Sequence, residues 1–148
     1  MMSTIHATGL LFGRRGVLIR GPSGSGKSRL ALALLQSGRA RFVRLVGDDR
    51  LHLTAAHGRL LMQPAAALQG LIEVRGLGIV RMPYEPLALS HIVVDLAAAD
   101  GLRLPEPEAT VTEILGARLA RLPVAPGNDP FPLILAYLTE SAAGAASL

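Results

Sequence analysis

The chain has 148 residues, of which half are hydrophobic, and it carries a net charge of +4 and no cysteine. This length is typical of a single domain with its own core, and the lack of cysteine excludes disulfides and fits a cytoplasmic protein. No apolar run reaches the length of a membrane span, no signal peptide is visible, and scattered arginines with 3% aromatic residues argue against a nucleic-acid surface built on base stacking.

The first predicted elements form a β-hairpin. Residues 5–12 are mostly apolar, Gly13-Arg14-Arg15-Gly16 is a turn signal, and residues 17–20 are the second strand. We expect the tip near Arg14 and Arg15.

The hairpin also predicts where His6 lies. Counting back along the two strands places His6 opposite Pro22 or Ser23. It would then lie beside the loop that follows the hairpin, although a histidine near a terminus is commonly a surface residue.

The loop after the hairpin matches G-x-x-x-x-G-K-[ST] at every position. An apolar strand precedes it and an apolar, helix-like run follows it, which is the context this phosphate-binding motif needs. Backbone N–H groups of such a loop cradle a polyphosphate, the lysine reaches the β- and γ-phosphates, and the last hydroxyl can ligate Mg²⁺. The predicted ATP-binding residues are Gly21, Pro22, Ser23, Gly24, Ser25, Gly26, Lys27 and Ser28, and Lys27 is the only lysine of the chain.

Two acids follow the next strand. The helix is predicted over residues 28–37, with Gly38 as its stop, and residues 42–47 form a buried strand that ends at Asp48 and Asp49. A strand–helix–strand unit predicts a parallel pair of strands, so both acids would lie near the nucleotide. An acid there can hold Mg²⁺ through water or accept the proton of an attacking hydroxyl, and the alternative is a charged turn.

A second unusual stretch spans residues 71–79. Glu73 and Arg75 share one face of an extended segment, and Gly76 and Gly78 permit unusual backbone shapes. This pattern suits a metal ligand beside a phosphate clamp, and it suits a surface ion pair equally well.

The remaining elements are placed by apolar runs and turn signals. They comprise a hairpin (50–53 and 59–62), a short helical turn (65–69), a strand (90–96), a loop that contains Arg103 (97–107), two late strands (110–115 and 118–124), a final helix (130–139) and a frayed tail (142–148). No internal repeat or linker divides the chain, so a single domain over residues 1–148 is predicted.

Together, His6, the loop 21–28, Asp48-Asp49, the run Glu-Val-Arg-Gly-Leu-Gly-Ile at 73–79 and Arg103 resemble the catalytic domain of HPr kinase/phosphorylase. The resemblance covers about residues 4–137. It implies an α/β fold, with a P-loop kinase core and a mixed β-sheet similar to phosphoenolpyruvate carboxykinase. It also implies a short form of the family without the separate N-terminal domain, and a hexameric assembly.

The resemblance also implies roles for individual residues. His6 and Lys27 would act at the phosphates, Ser28 and Glu73 would ligate Mg²⁺, and Asp49 would accept the proton of the substrate serine. Arg103 would stabilise the transferred phosphoryl group. Residues 123–128 are similar to the family's phosphorolysis loop but lack its arginine between Gly127 and Asn128, which puts the reverse reaction in doubt.

The function expected from these residues is ATP- and Mg²⁺-dependent phosphorylation of a serine on a small phosphocarrier protein similar to HPr. Two alternatives share the same loop and acids. One is a small-metabolite kinase, and the other is a nucleotide-sensing module that binds a signalling protein without catalysis.

Overall fold

The architecture comes from a computed structural model that describes the backbone of residues 2–147 and the side chains of residues 2–140. The strands are β1 (Met2–Ile5), β2 (Thr8–Phe12), β3 (Arg15–Arg20), β4 (Val43–Gly47), β5 (Leu51–Ala56), β6 (Arg59–Pro64), β7 (Leu71–Val74), β8 (Gly78–Arg81), β9 (Ala88–Ser90), β10 (Ile92–Asp95), β11 (Val111–Ile114) and β12 (Ala117–Pro123). The helices are α1 (Lys27–Leu35) and α2 (Pro130–Ser147), with 3-10 turns at Ala66–Leu68 and Pro107–Thr110.

A six-stranded mixed sheet forms the centre of the fold, in the order β11-β12-β10-β3-β2-β4. Strands β12, β10 and β3 pair in parallel, whereas β2 is antiparallel to both β3 and β4. A second sheet, β1-β5-β6-β9, and a separate β7-β8 hairpin complete the strands. The predicted mixed α/β fold is confirmed.

Successive residues of the central strands face two different cores, as the period of two along a strand requires. Val17 and Ile19 of β3 pack with α1 and α2, whereas Leu18 packs with β5 and β6 of the four-stranded sheet. The domain therefore has three layers, which are the helices, the central sheet and the second sheet.

The predicted N-terminal hairpin is confirmed, with a ladder that runs from Thr8 opposite Ile19 to Phe12 opposite Arg15. The predicted pairing of His6 with Pro22 or Ser23 is wrong. The ladder ends at Thr8, and the chain bends at His6 into β1, which pairs with β5 in the other sheet.

The predicted parallel pair formed by β3 and β4 needs a correction. The two strands run in the same direction, but β2 lies between them and hydrogen-bonds to both. The other edge of β3 is taken by β10. The carboxyl ends of β3 and β4 still lie at the same edge of the sheet, so Asp48 and Asp49 lie near the glycine-rich loop as predicted.

Three further boundaries differ from the predictions. The predicted strand 90–96 is divided at His91, whose Nδ1 accepts a hydrogen bond from the backbone of Gly16 (2.9 Å), so that β9 and β10 lie in different sheets. The segment 71–79 is a β-hairpin, and α2 extends to Ser147 instead of ending at residue 139. The predicted fraying of residues 142–148 is not tested, because the structure does not describe the side chains of these residues, and it stays a prediction.

Within the described residues, neither α1 nor α2 combines the length and hydropathy that a membrane-crossing helix requires.

Candidate active site

The glycine-rich loop (residues 21–28) connects β3 to α1. Gly24 and Gly26 have φ angles of 80° and 99°, in the left-handed region that glycine adopts without steric cost. A Cβ atom at either position would meet no other atom within 4 Å, so the backbone there faces open space. Backbone N–H groups and the start of a helix at such a place favour an anion.

A cleft of about 620 Å³ opens beside this loop, a volume typical of a small-molecule site. Its walls are the loop with the first turn of α1, the two acids after β4, and the β7-β8 hairpin with the 3-10 turn before it. Ten of the fourteen predicted site residues line the cleft: Ser23, Gly24, Ser25, Gly26, Lys27, Ser28, Asp48, Asp49, Glu73 and Arg75. The fold therefore brings most of the predicted site together.

Lys27 is the first residue of α1, and its ammonium group lies over the loop. Its Nζ donates hydrogen bonds to the backbone oxygens of Gly21 (2.9 Å) and Pro22 (3.1 Å). The positive charge is therefore held at the loop, from which it can turn to a phosphate oxygen.

The Asp48 carboxylate is buried, with 5% of the residue exposed, and it is fully engaged in hydrogen bonds. Its Oδ1 accepts from the Ser28 hydroxyl (2.6 Å) and the Thr8 hydroxyl (2.7 Å), and its Oδ2 accepts from the backbone N–H of Glu73 (3.1 Å). Asp48 therefore ties β2, α1 and β7 to the end of β4. It orients the Ser28 hydroxyl, and both of its carboxylate oxygens already accept hydrogen bonds.

Thr8 was not among the predicted site residues, although it lines the cleft and is completely buried. A threonine inside an otherwise apolar strand was the available signal, because a buried hydroxyl requires a hydrogen-bond partner. The partner, Asp48, is 40 residues away in sequence, and only the pairing of β2 with β4 makes the contact.

Replacing Thr8 by valine removes this hydrogen bond while keeping the shape of the side chain. We expect the free energy of unfolding to fall by about 1.5–3 kcal/mol, the usual contribution of a hydrogen bond to a charged group. The measurement is urea unfolding. Thr4→Val is the matched control, because the Thr4 hydroxyl bonds to His52 at an exposed position. Equal losses in the two variants would contradict the structural role of Thr8.

Asp49 adopts a different conformation from its neighbour. Its φ angle is 70°, and Arg50 N–H donates to the backbone oxygen of Asp48 (2.8 Å), so Asp49 is the central residue of a γ-turn. Such a conformation costs about 1–3 kcal/mol and is concentrated at functional sites. The Asp49 residue is exposed and lines the cleft, and within the described part of the chain its carboxylate accepts no hydrogen bond. The turn thus gives the two adjacent acids separate environments.

The residues also fit a magnesium ion. The Ser28 hydroxyl and the Glu73 carboxylate are hard oxygen donors, and both residues line the cleft. No group of three metal-ligating His, Cys, Asp or Glu side chains exists among the described residues. Mg²⁺ at a nucleotide usually takes one or two protein ligands and completes its shell with phosphate oxygens and water, so a small donor set is suitable.

The other four predicted site residues are not among those that line this cleft: Gly21 and Pro22 at the start of the loop, His6 and Arg103. His6 is exposed at the bend between β1 and β2, and Arg103 is exposed in the loop between β10 and β11. Neither is among the residues that line the cleft. Their roles stay predictions.

A charged network that the sequence did not indicate lies at the base of the loop. Asp95, at the end of β10, accepts two hydrogen bonds from Arg20 (both 2.7 Å) and one from Arg121 (2.5 Å). Arg121 also donates to Asp100 and to the backbone oxygen of Ala109. Because Arg20 immediately precedes Gly21, this network connects the loop to β12 and to the segment that carries Arg103.

The network sets the charge of Asp95. Burial of the carboxylate raises its pKa, but the hydrogen bonds and positive charges of Arg20 and Arg121 outweigh this effect, so the pKa lies below the ordinary value of 3.8. A lowered carboxyl pKa stabilises the folded state above the ordinary value, and this contribution is lost as the pH falls through the folded pKa.

Replacing Asp95 by asparagine should lower the free energy of unfolding at pH 7 by about 1.5–3 kcal/mol, because charge-assisted hydrogen bonds are lost, Arg20 loses its ion pair and Arg121 keeps only Asp100. The difference from the native chain should shrink as the pH falls below 3.8, and urea unfolding at pH 7 and pH 3 measures both values. Asp100→Asn is the control, since that exposed pair should contribute less than about 1 kcal/mol. A loss that is independent of pH would contradict the role of the Asp95 charge.

Fold and cleft together define a mixed α/β domain in which a glycine-rich loop leads into a helix beside two acids with different environments. The family model described as the HPr Serine kinase C-terminal domain matches residues 2–84. The chain therefore belongs to the family of HPr serine kinase C-terminal domains, which confirms the resemblance seen in the sequence.

Individual relatives agree with this assignment. The HPr kinase/phosphorylase of Xylella fastidiosa is 35% identical over 156 aligned residues, which cover 95% of this chain and 46% of that protein. The enzyme of the same name from Clostridium tetani is 43% identical over 68 residues, or 46% of this chain and 21% of that protein. The chain spans less than half the length of these curated relatives.

Among solved structures, the HPr(Ser) kinase/phosphatase from Coxiella burnetii superposes with a TM-score of 0.78 at 25% sequence identity. The match covers 97% of this chain and 99% of that one, so the similarity extends through the late strands and α2, beyond the region that the family model matches.

Proposed function

We propose that this domain is an ATP- and Mg²⁺-dependent protein serine kinase that phosphorylates a small phosphocarrier protein similar to HPr. The observation that carries the proposal is that two adjacent acids differ in their hydrogen bonding. Asp48 accepts hydrogen bonds from Ser28, Thr8 and the backbone of Glu73, whereas Asp49 lines the cleft and its carboxylate accepts no hydrogen bond among the described residues.

ATP would bind with its phosphates along the glycine-rich loop. The backbone N–H groups around Gly24 and Gly26 and the start of α1 would hold the phosphate oxygens. Lys27 would exchange its contacts with the Gly21 and Pro22 carbonyls for the β- and γ-phosphates. Arg75, which also lines the cleft, would clamp a phosphate oxygen through its guanidinium group.

Ser28 and Glu73 would hold the magnesium ion, and Asp48 would keep the Ser28 hydroxyl oriented toward it. The ion, when bound, neutralises charge on the phosphates. All other steps in the proposal are performed by side chains and backbone groups of the chain.

In the transfer step, Asp49 would accept the proton of the substrate serine hydroxyl while that oxygen forms a bond to the γ-phosphorus. The bond from the γ-phosphorus to the bridging oxygen of ADP breaks, so the products are phosphoserine and ADP. Positioning and electrostatics supply most of the acceleration in such transfers. His6 and Arg103 would reach the phosphates from outside the wall of the cleft, from the bend before β2 and from the loop after β10.

We infer that phosphorylation of the carrier, and not its reversal, is the main activity. In the reverse reaction Asp49 would donate the proton, and the chain lacks the arginine that the resemblance places after Gly127 in the phosphorolysis loop. A cytoplasmic location and a homo-oligomer, with a hexamer as the inherited expectation, complete the proposal. Light scattering tests the assembly.

The test incubates the protein with γ-labelled ATP, Mg²⁺ and a purified HPr-like carrier, followed by mass spectrometry of the carrier. We expect label on one serine and no label when the metal is chelated. Binding of ATP without any transfer would instead favour a nucleotide-sensing module. Consumption of ATP with a mixture of metabolites, in the absence of a carrier, would favour a small-metabolite kinase.

A further inference from the structure

A second cavity of about 590 Å³ lies on the other side of the glycine-rich loop, between α1 and the start of α2. It shares Ser25, Gly26 and Arg29 with the cleft described above. The two spaces therefore adjoin at the loop and the first turn of α1. The acids Asp48, Asp49 and Glu73 line only the first space, so a γ-phosphate belongs on that side.

The walls of the second cavity have a different chemistry from the cleft. Leu30 and Ala33 of α1 line it on one side, and Pro130 and Phe131 of α2 line it on the other. Phe131 is half-buried. Asn128 is exposed at the rim, and its side-chain amide makes no hydrogen bond among the described residues. Two charged residues also line the cavity, Arg29 and Asp129, and the Asp129 carboxylate accepts a hydrogen bond from the backbone N–H of Phe131. Apolar walls with one aromatic ring and a few polar groups are typical of a site for a flat, hydrogen-bonding ligand.

We propose that this cavity holds the nucleoside of the ATP molecule, with the base packed on Phe131 and its polar edge paired with the Asn128 amide. This inference rests on the proposed function, since it takes the loop as the triphosphate site. A triphosphate whose γ end lies beside Asp49 must leave the loop at its other end, and Arg29 lines both spaces at that point. An amide can both donate to and accept from a base edge, which provides selection among nucleotides.

The test compares ATP with inorganic tripolyphosphate, which has the same phosphate chain and no nucleoside. Phe131→Ala should weaken ATP binding by between about 5-fold and 150-fold, because stacking of a base on an aromatic ring contributes roughly 1–3 kcal/mol. Tripolyphosphate binding should be unchanged, which also shows that the loop is still folded. Isothermal titration calorimetry measures both affinities.

A second variant separates base stacking from packing of the core: Phe131→Leu keeps an apolar side chain against the core and should still weaken ATP binding. Phe42→Ala is the control. It removes an aromatic ring just before β4, at the end of that strand away from Asp48, and should change neither affinity. Asn128→Ala should weaken ATP binding without affecting tripolyphosphate.

Other outcomes contradict the inference in distinguishable ways. If the native chain binds tripolyphosphate as tightly as ATP, or if Phe131→Ala weakens both ligands equally, the nucleoside does not occupy this cavity while the proposed kinase function stands. If the native chain binds neither ligand, the proposed function fails together with this inference.

Discussion

Replacing Asp49 by asparagine should lower the rate of phosphoryl transfer to the carrier by about 10²–10⁴-fold, the usual contribution of a general base. The carboxylate is the only change, since asparagine has the same shape. Asparagine also tolerates the left-handed conformation that Asp49 adopts at φ 70°, so the γ-turn and the fold should be preserved. ATP affinity should change little, because the Asp49 carboxylate makes no hydrogen bond or ion pair within the described part of the chain.

The measurement is single-turnover transfer of labelled phosphate, with ATP affinity determined separately. Glu113→Gln is the matched control, because it also converts a carboxylate to an amide, at an exposed acid of β11 that lines neither cavity. Transfer at the native rate by the Asp49→Asn variant would remove Asp49 as the base. A parallel fall in the Glu113→Gln variant would indicate a general effect of charge.

Replacing Lys27 by methionine should lower transfer by about 10²–10³-fold, the cost of removing one preorganised charged donor from a reacting centre. ATP affinity should fall as well, since the ammonium would contact phosphate oxygens in both the ground state and the transition state. The methionine side chain keeps the length of the stem, so the start of α1 should be retained.

Arg39→Met is the control for Lys27→Met because it removes one positive charge at an exposed position just beyond Gly38, outside both cavities. Filter binding of labelled ATP and transfer to the carrier are measured on both variants. Native affinity and rate in Lys27→Met would show that the loop does not use its only lysine. A Lys27→Arg variant should recover little activity, because a planar guanidinium does not replace a compact ammonium.

Local chemistry made several parts of this molecule predictable. The turn signal at Gly13 and Gly16 between two apolar runs predicted the β2-β3 hairpin, and the glycine pattern before Lys27 predicted the loop that joins β3 to α1. Asp129 accepts a hydrogen bond from the backbone N–H of Phe131 (3.1 Å), as expected for a capping residue before Pro130. These features depend on contacts between residues close in sequence.

Other features arise from contacts between distant segments. The position of β2 between β3 and β4 depends on which sheet edges are available for pairing, and no local sequence pattern predicts that. The same strand order buries Thr8 against Asp48 and so commits the first of the two acids to a structural role. No local sequence pattern marks Asp95, because its contacts with Arg20 and Arg121 are made by three strands that lie side by side in the sheet.

The order of the residues alone was enough to specify the anion-binding loop, the presence of two acids after a strand and the kinship of the chain, because each depends on the chemistry of short segments. Only the folded chain shows that Asp48, and not Asp49, is held by hydrogen bonds, and that a second cavity lies beside the loop. Those properties depend on hydrogen bonds and packing between residues tens of positions apart, which form when the sheet and the two helices assemble.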